Sequence, residues 1–134
     1  MVIEHIRVSQ QARDQLIRLK RWTGIENWNV LCRWAFCISL AEPSIPPPTK
    51  IPADSSVEMT WKVFGGAHHD IYLALLKERC HKDGLGTSDD VISAQFRLHL
   101  HRGIGYLAAL VSDKQLKSIT DLIKRLPQPA FHQQ

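Results

Sequence analysis

Val30-Leu-Cys-Arg-Trp-Ala-Phe-Cys-Ile-Ser-Leu40 is apolar on nearly every face of the helix it would form, and Arg33 is its single charge. A helix that is apolar all round is buried, in a core or between subunits. The spacing predicts a helix from about Asn29 to Ala41, with Asn27 or Asn29 as its cap. One 134-residue monomer can hardly cover every side of such a helix, so the segment points to self-association. Arg33 needs a partner or a route to solvent.

Upstream, Ser9 caps a helix predicted over Gln10 to Trp22, with Ala12, Leu16, Leu19 and Trp22 or Thr23 as its apolar stripe. Gly24 closes it, because a left-handed C-cap suits glycine. His5 to Ser9 alternates polar and apolar and reads as a short strand. Downstream, 43–52 holds five of the seven prolines, which fixes an extended or ordered loop. Val57 to Phe64 alternates again and is expected to be a strand ended by Gly65-Gly66.

Asp70 to His81 reads as a helix with Ile71, Tyr72, Leu75 and Leu76 on its apolar face. Thr87-Ser-Asp-Asp90 caps a further helix from about Asp89 to Leu110, and Ser112-Asp-Lys-Gln115 opens a last one to about Leu126. Pro127 and Pro129 end it, and 127–134 is expected to be a frayed tail. The expected fold is mainly α: a compact single-domain helical bundle over 1–134, of about five helices with one or two short strands.

Composition bounds the function. Hydrophobic content of 44% is ordinary for a globular domain, and no apolar run approaches the ~18 residues of a membrane span. No signal core opens the chain, which is expected to be cytoplasmic. A net charge of +4 and a pI near 9.2 favour an anionic partner, polyphosphate backbones above all. Arg97-Leu-His-Leu-His-Arg-Gly-Ile-Gly105 concentrates two arginines and two histidines in a stretch with no acid from Val91 to Ser112. It is either a contact for that partner or an amphipathic helix with one basic, solvated face. Gly103 inside it implies close approach of another helix, and Arg102 is expected to pair with a carboxylate or cap nearby carbonyls.

The first helix is the better candidate surface. Arg13, Arg18, Lys20 and Arg21 share it with one acid, Asp14, and Arg7 projects from the preceding strand. Guanidinium groups suit phosphate because the planar fork donates two hydrogen bonds. Lys62, His99 and Arg102 are second in line for DNA contact. A strand followed by two helices also matches the order of ribbon-helix-helix DNA readers, in which His5, Arg7 and Ser9 would be the reading face of a strand paired with its dimer mate.

Enzyme signatures are weak, and no catalytic residue is assigned. His68-His69-Asp70 could supply a base or a metal ligand, but adjacent histidines diverge. His99 and His101 stand about 200° apart on a helix and cannot chelate one ion together. Cys32, Cys37 and Cys80 lack the paired spacing of a zinc site, so neither metal nor cofactor is expected, and the thiols are read as small buried hydrophobes. A small enzyme or cofactor-handling protein using its His and Cys residues stays open as the alternative.

The stretches Asn29-Val-Leu-Cys-Arg-Trp-Ala-Phe-Cys-Ile-Ser-Leu-Ala-Glu-Pro43, Ile71-Tyr-Leu-Ala-Leu-Leu-Lys-Glu-Arg-Cys80 and Leu98-His-Leu-His-Arg-Gly-Ile-Gly-Tyr-Leu107 resemble the DndE family of bacterial DNA sulfur modification proteins. Their order and spacing fit over nearly the whole chain, and Cys-Arg-x-Ala-Phe-Cys and His-x-His-Arg-Gly-Ile are the specific parts. The resemblance implies a role in DNA phosphorothioation, where sulfur replaces a non-bridging phosphate oxygen. It implies a DNA-binding, non-catalytic member, a homotetramer that prefers nicked duplex. It also implies companions: a cysteine desulfurase, an iron–sulfur protein and an ATPase.

Overall fold

A computed structural model of the chain describes residues 3–112. The elements run β1 (His5–Arg7), α1 (Gln10–Thr23), α2 (Trp28–Ala41), β2 (Glu58–Thr60), α3 (Trp61–Gly65), a 3-10 turn (Gly66–His68), α4 (His69–Lys82) and α5 (Asp89–Ser112). The domain is mainly α, with one small two-stranded sheet. Ser112 is the last residue of α5; the rest of the helix predicted to Leu126 and the tail lie outside the described residues.

α1 begins where Ser9 Oγ accepts the Ala12 N–H and ends where Gly24, at φ +76°, turns left-handed. Ala12, Leu16 and Leu19 are its buried stripe. α2 starts at Trp28 with Asn27 in the cap position, although the Asn27 side chain makes no capping bond. Leu31, Cys32, Ala35, Phe36 and Ser39 form its buried face, and α2 on α5 is the most extensive packing among the described elements. Phe36, Trp61, Phe64 and Phe96 meet at the centre, with Phe64–Phe96 edge to face at 5.1 Å between ring centroids. Each such ring, fully buried, contributes on the order of 2–3 kcal/mol by removal from water.

Three expectations need correction. The strand predicted to Phe64 stops at Thr60, whose Oγ1 caps α3 by accepting the Val63 N–H at 3.2 Å. Trp61 and Phe64, three apart, are buried while Val63 is 51% exposed, which is helical spacing. The inward face of α4 is Leu76, Arg79 and Cys80, with Ile71 and Leu75 turned out at 56% and 46% exposure. Of the three thiols, Cys32 and Cys80 are buried, but Cys37 is exposed on the outer side of α2.

β1 pairs antiparallel with β2 of the same chain, Ile6 opposite Met59. Val8 N–H bonds the Val57 carbonyl, so the even-numbered backbone groups face β2. The Arg7 carbonyl faces the other edge and is taken by Arg97 Nη1 at 2.7 Å. A strand paired on one side and covered on the other does not fit the ribbon of a ribbon-helix-helix dimer.

Candidate nucleic-acid interface

The arginines divide into two sets with different uses. Arg33, Arg79, Arg97 and Arg102 point their guanidinium groups at backbone carbonyls. Arg33 donates to the carbonyls of Phe64 and Val63, which tie α3 to α2. Arg79, 8% exposed, donates to the carbonyls of Leu40 (2.7 Å), Pro43 (3.2 Å) and Ser44 (2.6 Å) and pairs with Asp83 at 2.8 Å. Arg102 bonds the end of α2, at the Ser39 carbonyl (2.8 Å) and Ser39 Oγ (2.8 Å), and the start of the same loop, at the Ser44 carbonyl (3.0 Å). Arg97 holds the far end, at the carbonyls of Ile51 (3.2 Å) and Pro52 (3.3 Å). The proline-rich loop, with few donors of its own, is thus fastened at both ends by α4 and α5.

The histidines of the basic stretch serve the same scaffold. His101 is oriented by groups that leave no choice of tautomer: the Arg97 carbonyl, 2.9 Å away, can only accept from Nδ1, and the Ser9 N–H can only donate to Nε2, at 3.2 Å. It locks α5 to the start of α1 in its neutral form. His99 is fully buried, with Nδ1 2.8 Å from Ser39 Oγ. Burial, with the Arg79 and Arg102 charges nearby, pushes its pKa down to about 4. Ser39 and His99 have the spacing of a nucleophile and base, but both are sealed from solvent, and Ser39 Oγ already accepts from Arg102. His99 therefore offers no atom to a ligand at the surface, and Arg102 has its donors in use. Expected as caps or partners for Arg102, carbonyls are what it found; the basic, solvated face expected of this segment is absent.

The cations of α1 form the second set. At about 100° per residue, Arg13 and Lys20 lie on one flank, Arg21 on the crest opposite the buried stripe, and Arg18 on the other flank, an arc of about 160°. Arg18 and Arg21 are exposed, and Arg13 and Lys20 half-buried. Arg13 Nη1 is 3.8 Å from Asp14, and Lys20 Nζ stands 4.0 Å over the Trp28 ring. No acid lies between Asp14 and Glu26. Lys20 and Arg21 also occupy the last turn, where the helix dipole favours cations. Arg7 is drawn into the sheet, with Nη2 2.8 Å from Glu58 and Nη1 bonded to the Ser55 carbonyl. Lys62 is exposed on α3, next to Val63, whose carbonyl accepts from Asn29 Nδ2 at 3.1 Å. The structure thus brings Arg13, Arg18, Lys20 and Arg21 onto one helix surface, engages Arg7, His99 and Arg102 elsewhere, and leaves Lys62 exposed on α3.

Other candidate chemistry is sparse. His69 Nδ1 lies 3.2 Å from Asp70, while His68 is exposed. Among the described residues, no three His, Cys, Asp or Glu side chains gather as metal ligands. Among those residues, too, no helix is long and apolar enough to cross a membrane. Sequence reasoning missed Arg79 and its Asp83 partner, although their i, i+4 spacing was visible, and missed Trp28 beside Lys20.

Fold and surface define a class: a small helical scaffold, braced by arginine–carbonyl bonds, with cations on the outer side of α1. The chain belongs to the DndE family, whose sequence pattern, described as DNA sulphur modification protein DndE, matches residues 5–118. It is similar to the crystal structure of DndE from Escherichia coli B7A, involved in DNA phosphorothioation modification, with TM-score 0.64 and 26% identity over 80% of this chain and 98% of that one. A DndE mutant, also involved in DNA phosphorothioation, shares the fold at TM-score 0.61 and 22% identity, over 79% and 97% of the two chains. No curated protein matches it significantly.

Proposed function

We propose that the chain is the DNA-binding, non-catalytic subunit of a cytoplasmic DNA phosphorothioation system, acting as a homotetramer on duplex DNA with a preference for nicks. One observation carries the DNA contact: the outer arc of α1 holds four cations, Arg18 and Arg21 exposed and Arg13 and Lys20 half-buried, with Asp14 as the one acid of the helix, while the arginines of α4 and α5 are taken up by the fold. Such a surface meets phosphates and carries no base information, so binding is indifferent to sequence. Membership of the family supports DNA as the anion. A non-catalytic role is supported by the burial of Ser39 and His99. Self-association is supported by the outer side of α2, where Trp34 and Ile38 are half-buried beside exposed Cys37 and Ala41. Sulfur would come from the companion desulfurase, with the iron–sulfur protein and the ATPase completing the system.

The experiment is a gel-shift series with nicked, intact and single-stranded DNA of one sequence, with light scattering in parallel. Tightest binding to nicked duplex by a tetramer is expected. A folded monomer, or equal affinity for all three DNAs, would contradict this reading.

A further inference from the structure

The corner between α1 and α2 holds an aromatic and cationic pair at the edge of the proposed DNA surface. Lys20 Nζ lies 4.0 Å from the centroid of the Trp28 ring, Trp28 packs inward on the hydrophobic core, and both residues are half-buried. Lys20 thus covers a face of the indole. The exposed Arg21 follows it directly, and Asn27 and Asn29 flank the tryptophan. Glu26 is the nearest acid in sequence, and it is exposed. Aromatic rings set among cations are what proteins use to hold unpaired bases, since every base has a π face and stacking tolerates any sequence. A cation–π contact at a partly exposed site is weak, so a backbone phosphate can draw the ammonium away at little cost.

We propose that Trp28 is a base-stacking contact and Lys20 its cover. The ammonium moves to a phosphate on binding, and the uncovered indole stacks on a base left accessible by a nick, gap or end. This rests on the reading that α1 binds DNA. It gives that surface a means of telling interrupted duplex from intact duplex, because in intact duplex the bases are already stacked on each other.

The test compares the wild-type chain with Trp28→Leu and Trp28→Phe on a duplex bearing a one-nucleotide gap and on the intact duplex of the same sequence. Trp28→Leu is expected to lose roughly tenfold in affinity for gapped DNA, in keeping with the loss of one stacked base, and little on intact DNA. Trp28→Phe keeps a ring and should bind gapped DNA nearly as wild type does. Gapped DNA should quench wild-type tryptophan emission, and the quench should be missing in Trp28→Phe although it binds. Equal affinity of Trp28→Leu and wild type for gapped DNA, or an equal loss on both DNAs, overturns the proposal and leaves α1 as the DNA surface. If Trp28→Leu does not fold, the quench decides: the same quench in wild type and Trp28→Phe overturns it. Failure of wild type to bind either DNA overturns the underlying reading as well.

Discussion

Gly103 of α5 lies directly on the Ala35 carbonyl of α2: a Cβ at position 103 would stand 1.7 Å from that oxygen. The close approach expected from the glycine is therefore a backbone-to-helix contact, at the seam where the two most extensively packed helices cross. A side chain can swing away from an added methyl group; a helical carbonyl cannot.

Gly103→Ala should cost at least the upper end of the ~1–3 kcal/mol typical of overpacking. Gly105, two residues on, has nothing within 4 Å of the same added atom. Gly105→Ala should instead stabilise, by up to about 1 kcal/mol, through helix propensity alone. Thermal melts of the two variants check this. Equal melting temperatures for both would show that the seam is looser than described.

Acid should weaken the fold through His99. Its folded pKa, lowered to about 4 by burial and then by the Arg79 and Arg102 charges, lies below the ~6.5 of an unfolded histidine. The unfolded chain binds the proton first. Stability is therefore complete above about pH 6.5 and falls as pH drops toward 4, by on the order of 2 kcal/mol at pH 5. His101, lowered mainly by burial, acts in the same direction. Urea midpoints at pH 7.5 and 5 measure the loss, and His99→Gln should shrink the difference between them. An unchanged midpoint for wild type would mean that His99 is not held neutral.

Arg79→Met should destabilise by about 3–5 kcal/mol, since it leaves the Asp83 carboxylate, 9% exposed, without its partner. The carbonyls of Leu40, Pro43 and Ser44 lose their donor in the same step. Equilibrium unfolding gives the magnitude. Limited proteolysis should cut first within 43–52, and resistance there equal to wild type would show that Arg102 and Arg97 hold the loop without Arg79.

The sequence made some of this legible. Ser9 and Gly24 bracket α1 because caps are local chemistry, readable within four residues of each helix end. Gly103 announced a close approach because a glycine inside a helix is costly without one. Trp61 was misread because Val57, Met59 and Trp61 alternate well, and only the Thr60 cap shows that the period has changed. The face of α4 was misjudged because Ile71 and Leu75 look more like core than Arg79 does. The basic stretch misled for a similar reason. Charges are visible in sequence, but most acceptors of Arg97 and Arg102 are carbonyls, which every residue has, more than 40 positions away. The α1 surface stood out because its only acid is Asp14.

The claim that DNA meets α1 and not α5 is tested most directly by the salt dependence of duplex affinity in Lys20→Glu/Arg21→Glu. Two lost phosphate contacts should flatten the plot of log affinity against log salt by about two and weaken binding alike on every sequence. A double variant that folds as wild type does and keeps both affinity and slope would contradict the account and move the DNA surface off α1.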